Sequence, residues 1–224
     1  MILPLALAVL VRPTNIVAGF YLLLYGLSSF RDLGQRLAVL VGRWYLLLFM
    51  AFVAFLVFIP QMAYWHRVTG KWFVYSYTDS RFTNLLTPQF RTVLIGPRNG
   101  WYLYTPLMLL ATGGLLYLAF LRKLSAPAIL LIMVMIIYIN ASWCMPTFSS
   151  AAGYRALIEW IPFMAIPLAF VIEYARERKG WKWALYSVLV LFVVFNILFS
   201  YKYNNDLWWN TEWQWSNFLR LIQF

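Results

Sequence analysis

Charged residues are scarce in this chain, and acidic residues are scarcer still. Only 11% of the 224 residues are charged, with 7 Asp and Glu against 18 Lys and Arg. Soluble domains carry about 25% charged and about 45–50% apolar residues, whereas this chain is 63% hydrophobic. A soluble fold would leave much of that apolar surface in water. The composition therefore excludes a soluble domain and indicates a protein embedded in a lipid bilayer.

Cysteine and histidine are almost absent. A single cysteine, Cys144, excludes an internal disulfide, and one cysteine with one histidine cannot supply a His/Cys zinc site. The sequence contains no nucleophile elbow, phosphate-binding loop or dinucleotide fingerprint. We therefore expect no metal site, and no motif in the sequence indicates a particular cofactor.

The net charge of +11 would suggest nucleic-acid binding in a soluble protein. Here the basic residues stand in segments beside hydrophobic runs, where they set the orientation of the spans and meet anionic headgroups. Membrane lipids, not nucleic acids, are the expected partners.

The apolar runs predict an all-α, polytopic transmembrane helical bundle, because a spanning helix needs about 20 apolar residues. We expect about six spans and an interfacial C-terminal helix, with a transmembrane domain over 1–201 and an amphipathic tail over 202–224. The runs are 14–30, 44–63, 101–121, 126–143, 160–175 and 183–201.

Proline marks the breaks in these runs. Arg12-Pro13 should stop the first apolar run and form a turn at the membrane surface, with Thr14 or Asn15 capping the next helix. The run Ile2–Leu10 is too short to span, so we expect a chain that continues an earlier helix. Two prolines in 160–175 predict a kinked or partly re-entrant helix.

Short basic segments predict the orientation, since such segments face the cytoplasm. The cytoplasmic segments are then 31–43, 122–125 and 176–182. The extracytoplasmic segments are the long loop 64–100, the connection 144–159 and the tail.

The loop 64–100 alternates basic and aromatic residues. These residues are either ordinary interface anchors or a site for a phosphate-bearing lipid or its sugar, since arginine forks bind phosphate. Asp79 is a solvent carboxylate or a substrate contact, and His66 is expected at headgroup level. The candidate substrate-binding residues here are Tyr75, Tyr77, Arg81, Arg91 and Arg98.

Two further segments carry candidate residues. Arg155 and Glu159 are four apart, so on an α-helix they would share a face, either as a structural ion pair or with Glu159 orienting a guanidinium towards a cavity. The tail is either an interfacial helix or a lid over a lipid-accessible site. Its apolar stripe consists of Trp208, Trp215, Phe218, Leu219 and Ile222.

Three pieces of the chain resemble the later part of bacterial GT-C-fold glycosyltransferases, the group of protein mannosyltransferases and lipid A aminoarabinose transferases. They are the run 6–15 ending in Arg-Pro-Thr-Asn, the aromatic loop running into 100–107, and Gly-Tyr-Arg-Ala-Leu-Ile-Glu at 153–159. The resemblance implies transfer of a sugar from a polyprenyl-phosphate carrier to an acceptor outside the bacterial inner membrane. It also implies that arginines of loop 64–100 and Arg155 hold the phosphate.

The usual base of that family lies in an amino-terminal acidic loop that this sequence does not match. We therefore expect a carboxy-terminal part of such an enzyme, inactive alone and completed by an amino-terminal half or a partner subunit, with Asp79 as the candidate base. The alternatives are a transporter or flippase-like module and a structural subunit handling a lipid-linked substrate. Apart from Glu173, the spans hold almost no ionisable residue, which disfavours ion-coupled transport.

Overall fold

The computed structural model describes residues 2–27, 29–75, 77, 80–123, 125–148, 153–178, 180–206 and 214–223. Over these residues the chain forms α-helices and two short 3-10 helices, with no β-strand. The prediction of an all-α protein is confirmed for this part of the chain. The chain divides into two compact units, Met1–Asp79 and Ser80–Phe224.

The first unit is built around one long apolar helix, α4, against which α1 packs. None of the most apolar stretch of α4 is buried within the unit, as expected of a helix solvated by lipid. The elements are α1 (Ile2–Val11), a 3-10 helix (Pro13–Val17), α2 (Ala18–Leu24), α3 (Phe30–Gly42) and α4 (Trp44–Thr69).

The break at Arg12-Pro13 is confirmed, since α1 ends at Val11 and the 3-10 helix begins at Pro13. The predicted capping role of Thr14 or Asn15 is wrong, because neither the 3-10 helix nor α2 has a side-chain N-cap. The buried Asn15 side chain instead donates backwards to the Ala8 carbonyl oxygen at 3.0 Å. That carbonyl lies in the last turn of α1 and also accepts the Arg12 N–H at 3.0 Å.

The basic segment 31–43 is a helix rather than a loop. Ser29 and Asp32 form a capping box, in which each side chain accepts from the other residue's backbone N–H. Arg36 donates to the carbonyl oxygens of Leu23 and Tyr25, both at 2.8 Å. A basic side chain of α3 therefore caps the C-terminus of α2 by hydrogen bonds to its last carbonyl groups.

The second unit is a helical bundle in which α7 packs on α8 and α9, and α10 packs on α9. A Cβ at Gly114 of α7 would lie 2.6 Å from the Pro167 carbonyl oxygen of α9, so the two backbones approach too closely for any side chain. The elements are α5 (Phe90–Ile95), α6 (Trp101–Tyr104), α7 (Leu107–Phe120), α8 (Ala126–Ala141), a 3-10 helix (Arg155–Trp160), α9 (Ile161–Arg176), α10 (Trp181–Asp206) and α11 (Trp215–Ile222).

Among the described residues, three helical stretches are long and apolar enough to cross a bilayer: Trp44–Thr69, Arg155–Arg176 and Trp181–Tyr203. This is a membrane protein by its helices as well as by its composition. The run 101–121 is not one helix, because Thr105 and Pro106 separate α6 from α7. The 14 residues of α7 extend about 21 Å, less than the roughly 30 Å hydrocarbon core. Six spans remain a prediction.

Candidate functional site

The segment that precedes α5 is fastened to the C-terminal end of α8. Asn84 donates from its backbone N–H to the Ser142 carbonyl oxygen at 3.1 Å and from Nδ2 to the Trp143 carbonyl oxygen at 2.8 Å. The Gln89 N–H donates to the Ala141 carbonyl oxygen at 2.9 Å. Carbonyls at a helix C-terminus lack helical donors, so these bonds satisfy groups that would otherwise be unpaired.

A second set of contacts extends this attachment to the loop after α8. The Cys144 N–H donates to the Arg81 carbonyl oxygen at 3.1 Å. The rings of Phe82 and Trp143 meet edge to face, with centroids 4.9 Å apart. The later part of loop 64–100, which the sequence predicts to carry function, therefore meets the segment that follows α8 at one end of the second unit.

The loop 96–100 is a tight connection between α5 and α6. The Gly100 N–H donates to the Gly96 carbonyl oxygen at 3.0 Å. A Cβ at Gly96 would lie 2.4 Å from the Thr92 carbonyl oxygen, and a Cβ at Gly100 would lie 2.4 Å from that of Gly96. Both positions thus require glycine for steric reasons.

Asn99 fixes this loop to the loop after α8. Its φ of 61° is left-handed, a conformation that asparagine adopts more readily than most residues. Its side chain is 1% exposed, and Nδ2 donates to the Thr147 carbonyl oxygen at 3.0 Å. The Tyr104 hydroxyl donates to the Pro97 carbonyl oxygen at 2.8 Å and holds the loop from the side of α6.

A groove of about 340 Å³ lies beside this loop. Arg91 reaches it from α5 and Arg98 from the loop itself, and no Asp or Glu is among the described residues that line it. Two guanidinium groups in the lining of one groove favour an anionic ligand. The described lining residues are Arg91, Thr92, Ile95, Gly96, Pro97, Arg98, Thr147 and Trp215.

Trp215 comes to the groove from the tail, on α11. This helix is anchored by Phe218, which is buried in a cluster with Tyr104, Phe199 and Tyr203. The Trp215 and Phe218 rings meet edge to face at 6.1 Å. The predicted apolar stripe is present over the described part of the tail, whereas Trp208 lies outside the described residues.

Arg155 and Glu159 are not arranged as an α-helix would arrange them. They belong to the 3-10 helix Arg155–Trp160, in which residues four apart point about 120° away from each other because one turn takes three residues. The shared face expected from the spacing is therefore absent. The Arg155 side chain is exposed, and its role in binding stays a prediction.

The remaining sequence candidates lie elsewhere. Arg81 is exposed at the start of the second unit. Tyr75 and Tyr77 are exposed in the first unit, with ring centroids 5.9 Å apart. Asp79, the candidate base, lies outside the described residues. Of the predicted substrate-binding residues, the structure brings Arg91 and Arg98 together in one groove.

Sequence reasoning missed two parts of this site. Thr147 carries no signal of its own, because its contribution depends on a hydrogen bond to a residue 48 positions away. Asn99 is a common turn residue, and only its burial reveals an anchoring role. Trp215 could have been predicted from the sequence, because one interpretation of the tail was a lid over a lipid-accessible site. Among the described residues, no group of three or more His, Cys, Asp or Glu side chains is placed to hold a metal ion.

Comparison of the chain with protein-family models, with curated proteins and with solved structures finds no match. The helices and the groove define the class of this protein: an all-α membrane protein with an arginine-lined groove.

Proposed function

We propose that this chain is part of a membrane glycosyltransferase of the bacterial inner membrane that takes a sugar from a polyprenyl-phosphate carrier. The observation that carries the proposal is the groove with Arg91 and Arg98, formed where the later part of loop 64–100 meets the loop after α8. The resemblance of three sequence pieces to GT-C-fold enzymes supports the same chemistry. In this scheme about six spans cross the membrane, and the groove faces the extracytoplasmic side.

The size of the groove suits the polar end of such a carrier. Ligand pockets commonly enclose about 300–1,000 Å³, so 340 Å³ has room for a phosphate and an attached sugar but not for a long prenyl chain. The prenyl chain would stay among the lipid tails of the bilayer, which already solvate its apolar surface. Arginine forks would grip the phosphate by paired, charge-assisted hydrogen bonds.

The transfer step assigns the two arginines a further role. An acceptor hydroxyl oxygen bonds to the anomeric carbon, the bond from that carbon to the phosphate oxygen breaks, and its electron pair stays on the lipid phosphate. Cationic groups at the departing phosphate stabilise that charge. The acceptor proton needs a carboxylate, which is worth roughly 10²–10⁴-fold in rate.

The described lining of the groove does not include that carboxylate. We expect that carboxylate to come from a partner subunit or a further segment. Asp79, the candidate within this chain, would be the base only if the chain alone turned over the sugar. We therefore expect the chain alone to bind the lipid phosphate without turning over the sugar. This separates the binding part of the proposal from the catalytic part.

Binding of polyprenyl phosphate to the purified chain in lipid nanodiscs tests the proposal. A hydrogen bond to a charged group is worth about 1.5–3 kcal/mol, so Arg98→Ala should weaken binding about 10- to 100-fold. Arg91 is exposed, and screening by water places the effect of Arg91→Ala at the lower end of that range. The Lys variants keep the charge but lose the fork, and should fall between the parent and the Ala variants.

Arg122→Ala is the matched control, because it removes the same charge from an exposed side chain away from the groove lining. Arg122 follows the C-terminal end of α7, whereas the groove loop 96–100 precedes α6. It should bind like the parent. The proposal fails if Arg91→Ala and Arg98→Ala also bind like the parent, or if all three variants lose affinity equally.

A further inference from the structure

The groove has an apolar side as well as a cationic one. Trp215 lines it while remaining 45% exposed, so part of the indole surface is open. Ile95 is 43% exposed at the same groove, and Pro97 lies next to Arg98. Aromatic and aliphatic surface therefore stands beside the two guanidinium groups.

The position of Trp215 is set by the rest of α11 rather than by the groove. Phe218 inserts one turn further on, with its ring centroid 5.8 Å from that of Tyr104 and 6.2 Å from that of Phe199. At the end of the helix, Lys202 of α10 donates from Nζ to the Gln223 carbonyl oxygen. A helix held at two points presents its first residue at a defined place, so the indole is preorganised for a ligand.

We infer that Trp215 is the sugar platform of this groove, on which the pyranose ring of the lipid-linked sugar stacks while Arg91 and Arg98 hold its phosphate. The inference rests on the proposed function and adds to it a residue that selects the glycosylated carrier over the bare lipid phosphate. It assigns the tail a part in substrate recognition.

The chemistry of the lining fits a sugar better than a lipid chain. A pyranose has apolar C–H faces and polar hydroxyl edges, so it is matched by a flat indole together with hydrogen-bonding groups. The lining supplies both, because the side chains of Thr92 and Thr147 carry hydroxyls. A lipid chain would need a continuous apolar channel, whereas two arginines and two threonines interrupt this surface.

The test compares two probes on the same variants: polyprenyl phosphate, and polyprenyl phosphate carrying glucose or mannose. Stacking on an aromatic ring contributes modestly beyond area burial, so Trp215→Ala should weaken binding of the sugar-bearing lipid about 3- to 10-fold. Binding of the bare lipid phosphate should not change. Trp215→Phe keeps a ring and should retain most of the preference for the sugar-bearing lipid.

Leu219→Ala is the control, since Leu219 is 50% exposed on the same helix and is not among the groove residues. It should leave both affinities unchanged. Equal loss of both lipids in Trp215→Ala, no loss of either, or tighter binding in that variant would each overturn the inference. Failure of the parent to bind the bare lipid phosphate would instead overturn the proposed function.

Discussion

Replacing Gly114 by Ala should disrupt the packing of α7 against α9. The added Cβ would lie 2.6 Å from the Pro167 carbonyl oxygen and 2.6 Å from Val171 Cγ2. The valine methyl can move, but the carbonyl belongs to the helix backbone and cannot rotate away. The helices would have to separate to accept the methyl group.

The neighbouring Gly113 gives the magnitude a matched reference. A Cβ at Gly113 meets nothing within 4 Å, so Gly113→Ala changes only helix propensity, a gain of about 0.8–1 kcal/mol in soluble helices. Gly114→Ala carries the same gain plus an overpacking cost of about 1–3 kcal/mol. The difference in unfolding free energy between the two variants isolates the steric cost. We expect a steric cost of about 3 kcal/mol, because the contact is with a backbone carbonyl.

Denaturant titration of the two variants in mixed micelles measures this difference. Gly113→Ala should unfold at the same or a higher denaturant concentration than the parent, and Gly114→Ala at a clearly lower one. Equal midpoints for the two variants would show that α7 and α9 do not approach as described, and the reasoning would be refuted.

Two further predictions concern orientation and the groove loop. In intact cells that carry Cys144→Ser, a cysteine at Ser80 should react with an impermeant thiol reagent and one at Gly180 should not; the reverse pattern would overturn the orientation. Asn99→Gly keeps the left-handed backbone but removes the hydrogen bond to Thr147. One hydrogen bond contributes about 0.5–1.5 kcal/mol, so this variant should weaken polyprenyl-phosphate binding about 2- to 10-fold. Binding equal to that of the parent would show that Asn99 does not support the groove.

Composition and local pattern were sufficient to predict the class of this protein and several helix boundaries. The membrane class follows from apolar surface that water cannot accommodate. The end of α1 before Pro13 follows from a missing backbone donor. The helix in the tail follows from apolar residues spaced three and four apart.

The path of the chain between residues 80 and 100 could not be predicted in the same way. It depends on hydrogen bonds from Asn84 and Gln89 to carbonyls at and just after the C-terminal end of α8, more than 50 positions away. Hydrophobic periodicity carries no information on such pairings. The 3-10 geometry at Arg155 was missed for a related reason, since spacing alone does not distinguish a 3-10 helix from an α-helix.

Part of the candidate site was predictable. Arginine near aromatic residues at a membrane surface is a general signal for phosphate. That signal selected Arg91 and Arg98, which the structure places in one groove. The same signal selected Tyr75 and Tyr77, which belong to the other unit. Sequence chemistry identifies residue types, and tertiary contacts decide which of them share a cavity.

The most direct test of the central claim is an electron cryomicroscopy structure of the chain in lipid nanodiscs with polyprenyl phosphate. We expect phosphate density in the groove, with phosphate oxygens about 2.7–2.9 Å from guanidinium nitrogens of Arg91 and Arg98. An empty groove with the phosphate bound at the basic segment 176–182, or anywhere else on the chain, would contradict it.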